Sequence, residues 1–146
     1  MEDLDISEEI TRYNKSIGNI TSVMKQSLVQ KHTRMRLYKT LARPVLCYGS
    51  EAWTMRNRDK SRIIASEMRI MCHIGYSKWD HIRNEDILHE LHIEPVLDYI
   101  HQYKNNWIQH VHRMPRTRFP RTIINYRPSG KRSVGRPMKR WMENFM

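Results

Sequence analysis

Apolar residues recur along the first 114 positions at the steps of three and four that place them on one side of a helix. The first such run predicts a helix over 7–29. Ser7 is its expected N-cap, Glu8 and Glu9 suit the positive end of the helix dipole, and Ile10, Tyr13, Ile17, Ile20, Met24 and Leu28 form its stripe. Gly18 inside it costs about 1 kcal/mol relative to Ala. A second helix is expected after Thr33, with Met35, Leu37, Tyr38, Leu41 and Ala42 inward and Lys31, Arg34, Arg36, Lys39 and Arg43 pointing elsewhere. Pro44 removes a backbone donor and predicts a kink or restart there. The apolar pattern then continues from Val45 to Trp53, with Gly49 expected to allow close packing.

A third helix is expected over 59–74, capped by Asp59, with Ile63, Ile64, Met68, Met71 and Ile74 inside and Gly75 at its end. A short fourth helix follows Asn84, with Glu85 and Asp86 in its first turn and Ile87, Leu88 and Leu91 inside. A fifth opens at Pro95, a residue favoured at the first helical position, with Leu97, Ile100, Trp107, Val111 and Met114 in period. Past Pro115 the period ends, and four of the six prolines lie at or beyond that point. The pattern therefore predicts an all-α chain. About five amphipathic helices make a small bundle over 1–114, and a basic arm, extended or partly disordered, covers 115–146.

Composition makes the expected core a thin one. Of 146 residues 39% are hydrophobic, below the roughly 45–50% usual for globular chains, and 28% are charged. No stretch approaches the roughly 18 apolar residues of a membrane span. The first residues, Met1-Glu2-Asp3-Leu4-Asp5, are acidic and unlike a secretory or transit peptide. Cys47 and Cys72 make no disulfide framework, and both are expected to be reduced, buried thiols of an intracellular protein, nuclear or cytoplasmic.

Charge adds the main functional signal. The net of +11 is gathered into two blocks: residues 31–60 hold eight Lys or Arg against two acids, and residues 101–146 hold eleven against the single Glu143. Such blocks are the footprint of a surface that meets phosphates. The bland alternative is a solubilising basic tail. The nucleic-acid reading is favoured because Trp107, Tyr126 and Trp141 are interleaved with the cations and offer rings for base stacking. Two backbone-contacting ridges are expected. One comprises Lys31, Arg34, Arg36, Lys39 and Arg43, and the other Arg127, Lys131, Arg132, Arg136, Lys139 and Arg140, with Trp141 beside it. Tyr38, Tyr48, Trp53 and Trp107 fall on apolar helical faces and are expected in the core, leaving Tyr126 and Trp141 as the freer rings.

Other chemistry finds little support. His89/His92 and His110/His112 are spaced as pairs, yet neither has the further clustered ligands that tetrahedral zinc requires. Nucleophile elbows and Gly-rich phosphate loops are missing, and the six aspartates never occur side by side as a metal-binding pair. No catalytic residue, metal site or cofactor is expected in this chain. Ser133-Val134-Gly135-Arg136-Pro137 is similar to an AT-hook core, with Val134 in place of its first arginine, and reads equally well as a flexible basic linker.

Taken in order, several motifs resemble the C-terminal part of the endonuclease–reverse transcriptase of LINE-type, non-LTR retrotransposons. They are Leu37-Tyr38-Lys39-Thr40-Leu41-Ala42-Arg43-Pro44-Val45-Leu46-Cys47-Tyr48-Gly49-Ser50-Glu51-Ala52-Trp53, Glu67-Met68-Arg69, Arg83-Asn84-Glu85-Asp86-Ile87, Trp107-Ile108-Gln109-His110-Val111-His112-Arg113-Met114, and Arg127-Pro128-Ser129-Gly130-Lys131-Arg132 through Gly135-Arg136-Pro137 to Trp141. The resemblance covers about residues 8–145. It departs at Gln109, where the family has Gly, and at Val134, where it has Arg. It implies a thumb and post-thumb region that holds a template–primer duplex, RNA or DNA, against a palm domain. The palm's Tyr-x-Asp-Asp motif and its magnesium ions belong to a region absent from this sequence. The expected function is nucleic-acid binding by part of an RNA-directed DNA polymerase that is inactive alone. The alternatives are a catalytically competent polymerase or nuclease fragment and a domesticated retroelement remnant serving as a protein–protein interaction module.

Overall fold

The computed structural model describes residues 2–26, 28–124, 126 and 141. Among them there are helices and turns and no β-strand. Helix α1 (Glu2–Met24) buries Ile6, Ile10, Tyr13, Ile17 and Met24 against α3 (Arg43–Leu46) and α4 (Asn57–Ile74). The expected stripe is there, but the ends shift. The helix starts at Glu2, about a turn and a half upstream of Ser7. Ser7 is consequently internal, its carbonyl accepting from Thr11 Oγ1 at 2.8 Å. At the other end the helix stops at Met24, and Leu28 is exposed.

The second expected helix is where the chain departs most from a regular pattern. Helix α2 (Lys31–Leu37) starts behind Gln30 rather than Thr33 and runs into a π-helical turn, Tyr38–Ala42, before α3. The cause is Pro44. Its ring excludes the carbonyl four residues back and its nitrogen donates nothing. The backbone opens one residue wider, and the Arg43 amide bonds back to the Tyr38 carbonyl. This rotation turns Leu41 outward to half exposure and brings Arg43 inward, the reverse of the expected arrangement. Beyond α3, Gly49 stands at φ +69°, the left-handed region that glycine tolerates, and a Cβ there would meet nothing within 4 Å. Its role is conformation and not the close packing expected of it. A 3₁₀ turn, Ser50–Ala52, delivers Trp53 to the core, while Tyr48, expected there, is exposed.

Helix α4 begins two residues earlier than expected. Asp59 lies in its first turn and accepts the Arg56 backbone N–H at 3.1 Å instead of occupying the cap itself. Gly75 ends the helix at φ +133°. Ile63, Ile70, Met71 and Ile74 are buried, whereas Ile64 and Met68 are half-buried and Cys72 faces outward. The expectation of two buried thiols therefore holds for Cys47, which burial pushes up to about 12, and fails for Cys72. Helix α5 (Asn84–Glu90) supplies Ile87 and Leu88 to the core, joined by Leu91 and Ile93. Helix α6 (Val96–Arg113), with Pro95 just ahead of it, packs on α4 and on the Ser50–Ala52 turn. Helix α7 (Phe119–Ile124) rests against the end of α6, so this part of the segment expected to be an extended arm is helical.

Among the buried charged side chains of the described residues, three link segments that are far apart along the chain. Glu67, 1% exposed, accepts the Tyr38 hydroxyl at 2.5 Å and the Val96 backbone N–H at 3.2 Å. Lys104, fully buried, donates its ammonium to the Trp53 carbonyl. Arg43 donates to the Glu94 carbonyl at 2.9 Å and lies over the Tyr99 ring at 4.1 Å. Each occupies the position along its helix where the apolar period calls for a hydrophobic residue or where the π turn has rotated it inward.

Two expectations follow. Gly18 has open space where a Cβ would stand; Gly18→Ala should stabilise the protein by about 1 kcal/mol in urea unfolding, and a loss of stability would contradict the packing of α1. Burial pushes the Glu67 carboxyl above its ordinary 4.5, against the opposing pull of Tyr38, Val96 and Arg43. The folded chain thus keeps this proton where the unfolded chain has released it. Its contribution is complete below pH 4.5 and is lost as the pH rises through the folded value. Wild-type stability should fall relative to Glu67→Gln as unfolding is measured at successively higher pH above that point. A pH-independent difference between the two proteins would refute it.

Candidate nucleic-acid interface

The first basic ridge expected from the sequence divides into three kinds of side chain. Arg34 and Arg43 are committed inside the fold. Arg34 donates to the carbonyls of Val29 at 3.0 Å, Gln26 at 2.9 Å and His73 at 3.3 Å, tying the turn after α1 to the end of α4. Arg43 is 8% exposed and held as described above, with Glu94 Oε2 a further 3.8 Å away. Lys31 is partly committed: its ammonium meets the Tyr76 hydroxyl at 2.8 Å and Glu90 at 2.9 Å, which raise its pKa, and it lies 4.8 Å from the Tyr76 ring centre. Arg36 and Lys39 are exposed, and among the described residues Lys39 makes a long 3.4 Å hydrogen bond to the His92 carbonyl. The five residues therefore do not form one continuous cationic ridge; Arg36 and Lys39 are what remains of it for a partner.

Arg127, Lys131, Arg132, Arg136, Lys139 and Arg140 lie outside the described residues, as does the AT-hook-like segment. Trp141 is described and is not a free ring. Its indole N–H donates to the Glu51 carbonyl at 2.7 Å, and its ring stands edge-on to Trp107 with centroids 5.6 Å apart. Position 141 is thus fastened onto α6 and the Ser50–Ala52 turn. Tyr126, the other ring expected to be available, is 70% exposed.

A basic corner that the sequence reading did not single out lies where α6 turns into α7. Arg113 is the last residue of α6, Arg116 and Arg118 belong to the turn, and all three are exposed. Arg121 draws the corner tight by donating to the His112 carbonyl and contacting its Nδ1 at 2.9 Å. Thr122 Oγ1 adds longer contacts to the carbonyls of Arg116 and Arg118. Phe119 stands out at 75% exposure. The signal was available in the sequence: from Tyr99 to Met142 there is no acidic residue at all. It was absorbed into the charge of the whole C-terminal block and not assigned to particular arginines.

Among the described residues no three His, Cys, Asp or Glu side chains come together as metal ligands. No helix among them is long and apolar enough to cross a membrane. A cleft of about 410 Å³ opens beside α4, lined by Met68, Arg69, Met71, Cys72, Tyr76 and Ile87. The Cys72 thiol is engaged with the Met68 carbonyl of its own helix at 3.5 Å.

No protein-family model matches the chain, and no solved structure does. The sequence is 28% identical over 125 residues to a Caenorhabditis elegans protein described as transposon-derived and uncharacterized. The match takes in 82% of this chain and 45% of that protein, so this chain spans less than half of its relative's length. The likeness is consistent with a transposon origin.

The division between committed and exposed cations has a direct consequence. Arg43→Ala should cost about 1–3 kcal/mol, because it strips the donor from the part-buried Glu94 carbonyl and opens a gap against Tyr99. Arg36→Ala should change stability by no more than about 0.5 kcal/mol. Paired urea titrations check this, and equal effects at the two positions would refute it.

Proposed function

We propose that this chain is the thumb and post-thumb part of a LINE-type reverse transcriptase, or a remnant of one, and that it holds nucleic acid through phosphate contacts without making bonds itself. The observation that carries the reading is the set of exposed cations left over by the fold. Arg36, Lys39, Arg113, Arg116 and Arg118 are exposed, and among the described residues no ion pair engages them. The likeness to a transposon-derived protein and the order of sequence motifs both agree with it. In this reading the palm carboxylates and their magnesium belong to another region or another chain, which the helical body would press against the duplex. Contacts of this kind are to the backbone, so affinity should depend little on base sequence and strongly on salt. A protein–protein role is the second reading, favoured by the exposure of Leu28, Tyr48 and Trp79.

Fluorescence anisotropy of the full chain on a labelled duplex, at a series of salt concentrations, tests the proposal. If about six phosphates are neutralised, the log–log slope should be roughly −5. Arg36→Gln with Lys39→Gln should make that slope shallower by about 2, at about 0.9 per phosphate. Salt-independent binding would refute the proposal, as would magnesium-dependent primer extension by the purified chain. Protein partners retained in high salt after nucleic acid is lost would favour the second reading.

A further inference from the structure

Helix α7 has two unlike sides. Pro120 and Ile124 are half-buried, while Phe119, Ile123 and Tyr126, spaced by four and three residues, are 75%, 51% and 70% exposed. Phe119 and Ile123 stand one turn apart on the outward side of α7, and Tyr126 follows just beyond the helix. Arg113, Arg116 and Arg118 stand on the same corner, exposed and without an ion pair among the described residues.

The corner is also held in shape before any partner arrives. Arg121 is anchored to the His112 carbonyl, the Arg118 amide bonds to the Pro115 carbonyl at 3.0 Å, and the Tyr126 amide bonds to the Ile123 carbonyl at 2.9 Å. Pro115 and Pro120 fix φ on either side of the turn. A stacking ring that is already ordered loses less entropy on binding than one that must be ordered.

We propose that this corner is a binding site for single-stranded nucleic acid, in which Phe119 and Tyr126 stack on unpaired bases while Arg113, Arg116 and Arg118 hold the neighbouring phosphates. The inference rests on the nucleic-acid reading above and narrows it, since that reading alone concerns phosphates, which duplexes and single strands share. The rings decide between them. A paired base keeps its faces within the stack, whereas an unpaired one can lay a face on an aromatic side chain. The arginines decide between nucleic acid and a protein partner, because apolar groups bordered by cations, in a stretch with no acidic residue from Tyr99 to Met142, complement a polyanion.

The test uses the full chain and two labelled probes, a 12-nucleotide oligouridylate and a 12-base-pair duplex. Phe119→Leu with Tyr126→Leu keeps the face apolar and removes the rings. Both residues are exposed, and circular dichroism should show helix content unchanged. Single-strand affinity should fall about fivefold or more for each ring lost, and duplex affinity should stay within about twofold. Arg113→Gln, Arg116→Gln and Arg118→Gln together should make the single-strand salt slope shallower by about 2, at about 0.7 per phosphate. Equal losses on both probes, or no loss on either, would overturn the stacking site. In that case salt-dependent binding by the unaltered chain would leave the broader proposal standing. Failure of the unaltered chain to bind either probe would overturn both. Binding to vesicles containing phosphatidylserine that the leucine variant abolishes, with oligouridylate affinity unchanged, would overturn the site in favour of a membrane surface.

Discussion

One buried carboxylate joins three separate segments of this bundle. Glu67 projects from α4, accepts the hydroxyl of Tyr38 on the π turn, and accepts the backbone N–H of Val96 at the start of α6. A carboxylate at a helix start meets the positive end of the dipole, and here it also satisfies an amide that has no partner within its own helix. Removing such a group from water is costly, and only close hydrogen-bond partners offset that cost. Tyr38 and Val96 therefore have to stand where they do, which fixes how the π turn and α6 approach α4. The Tyr13 hydroxyl is buried nearby with no hydrogen-bond partner among the described residues, and the Glu67 charge adds to burial in pushing its pKa up. The polar centre is thus only partly satisfied, which makes its geometry sensitive to any change in charge.

The π turn governs the outer surface as well as the inner one. By absorbing the break that Pro44 imposes, it rotates Arg43 against Tyr99 and leaves Leu41 facing outward. A regular helix through the same residues would have offered Arg43 to a partner together with Arg36 and Lys39. Basic residues counted along the sequence consequently overstate the cationic surface. Arg34 is spent on three carbonyls and Lys31 on Glu90 and Tyr76, each doing work that would otherwise fall to solvent or to another side chain.

The all-α class and the positions of the main helices were legible because their apolar stripes have the right period and their ends carry recognisable chemistry. Gly75, the acids at the start of α5 and Pro95 are examples. What was not legible follows a single physical pattern. Glu67, Lys104 and Arg43 are charged residues at inward positions, and residue type alone assigns them to solvent. Yet Glu67 falls in step with Ile63, Ile70 and Ile74, and Lys104 follows Ile100 by four, so the spacing did mark both. Nothing local marked the docking of Trp141, whose partners Glu51 and Trp107 are far away along the chain. Helix α7 was hidden by its shortness and by Pro120, which a helix tolerates at that early position.

Fastening Trp141 and exposing Phe119 exchange the roles that sequence position alone would give them. The ring within the basic run is consumed in holding position 141 to α6, while a ring on a six-residue helix is presented to solvent beside arginines that have no ion pair among the described residues. Which cations and rings are available to a partner is thus decided by the interior of the bundle. Pro44, Glu67 and the end of α6 determine which donors are used up in folding. Three of those left over, Arg113, Arg116 and Arg118, meet at the corner of α6 and α7, where recognition of a polyanion has both charge and stacking surface to draw on.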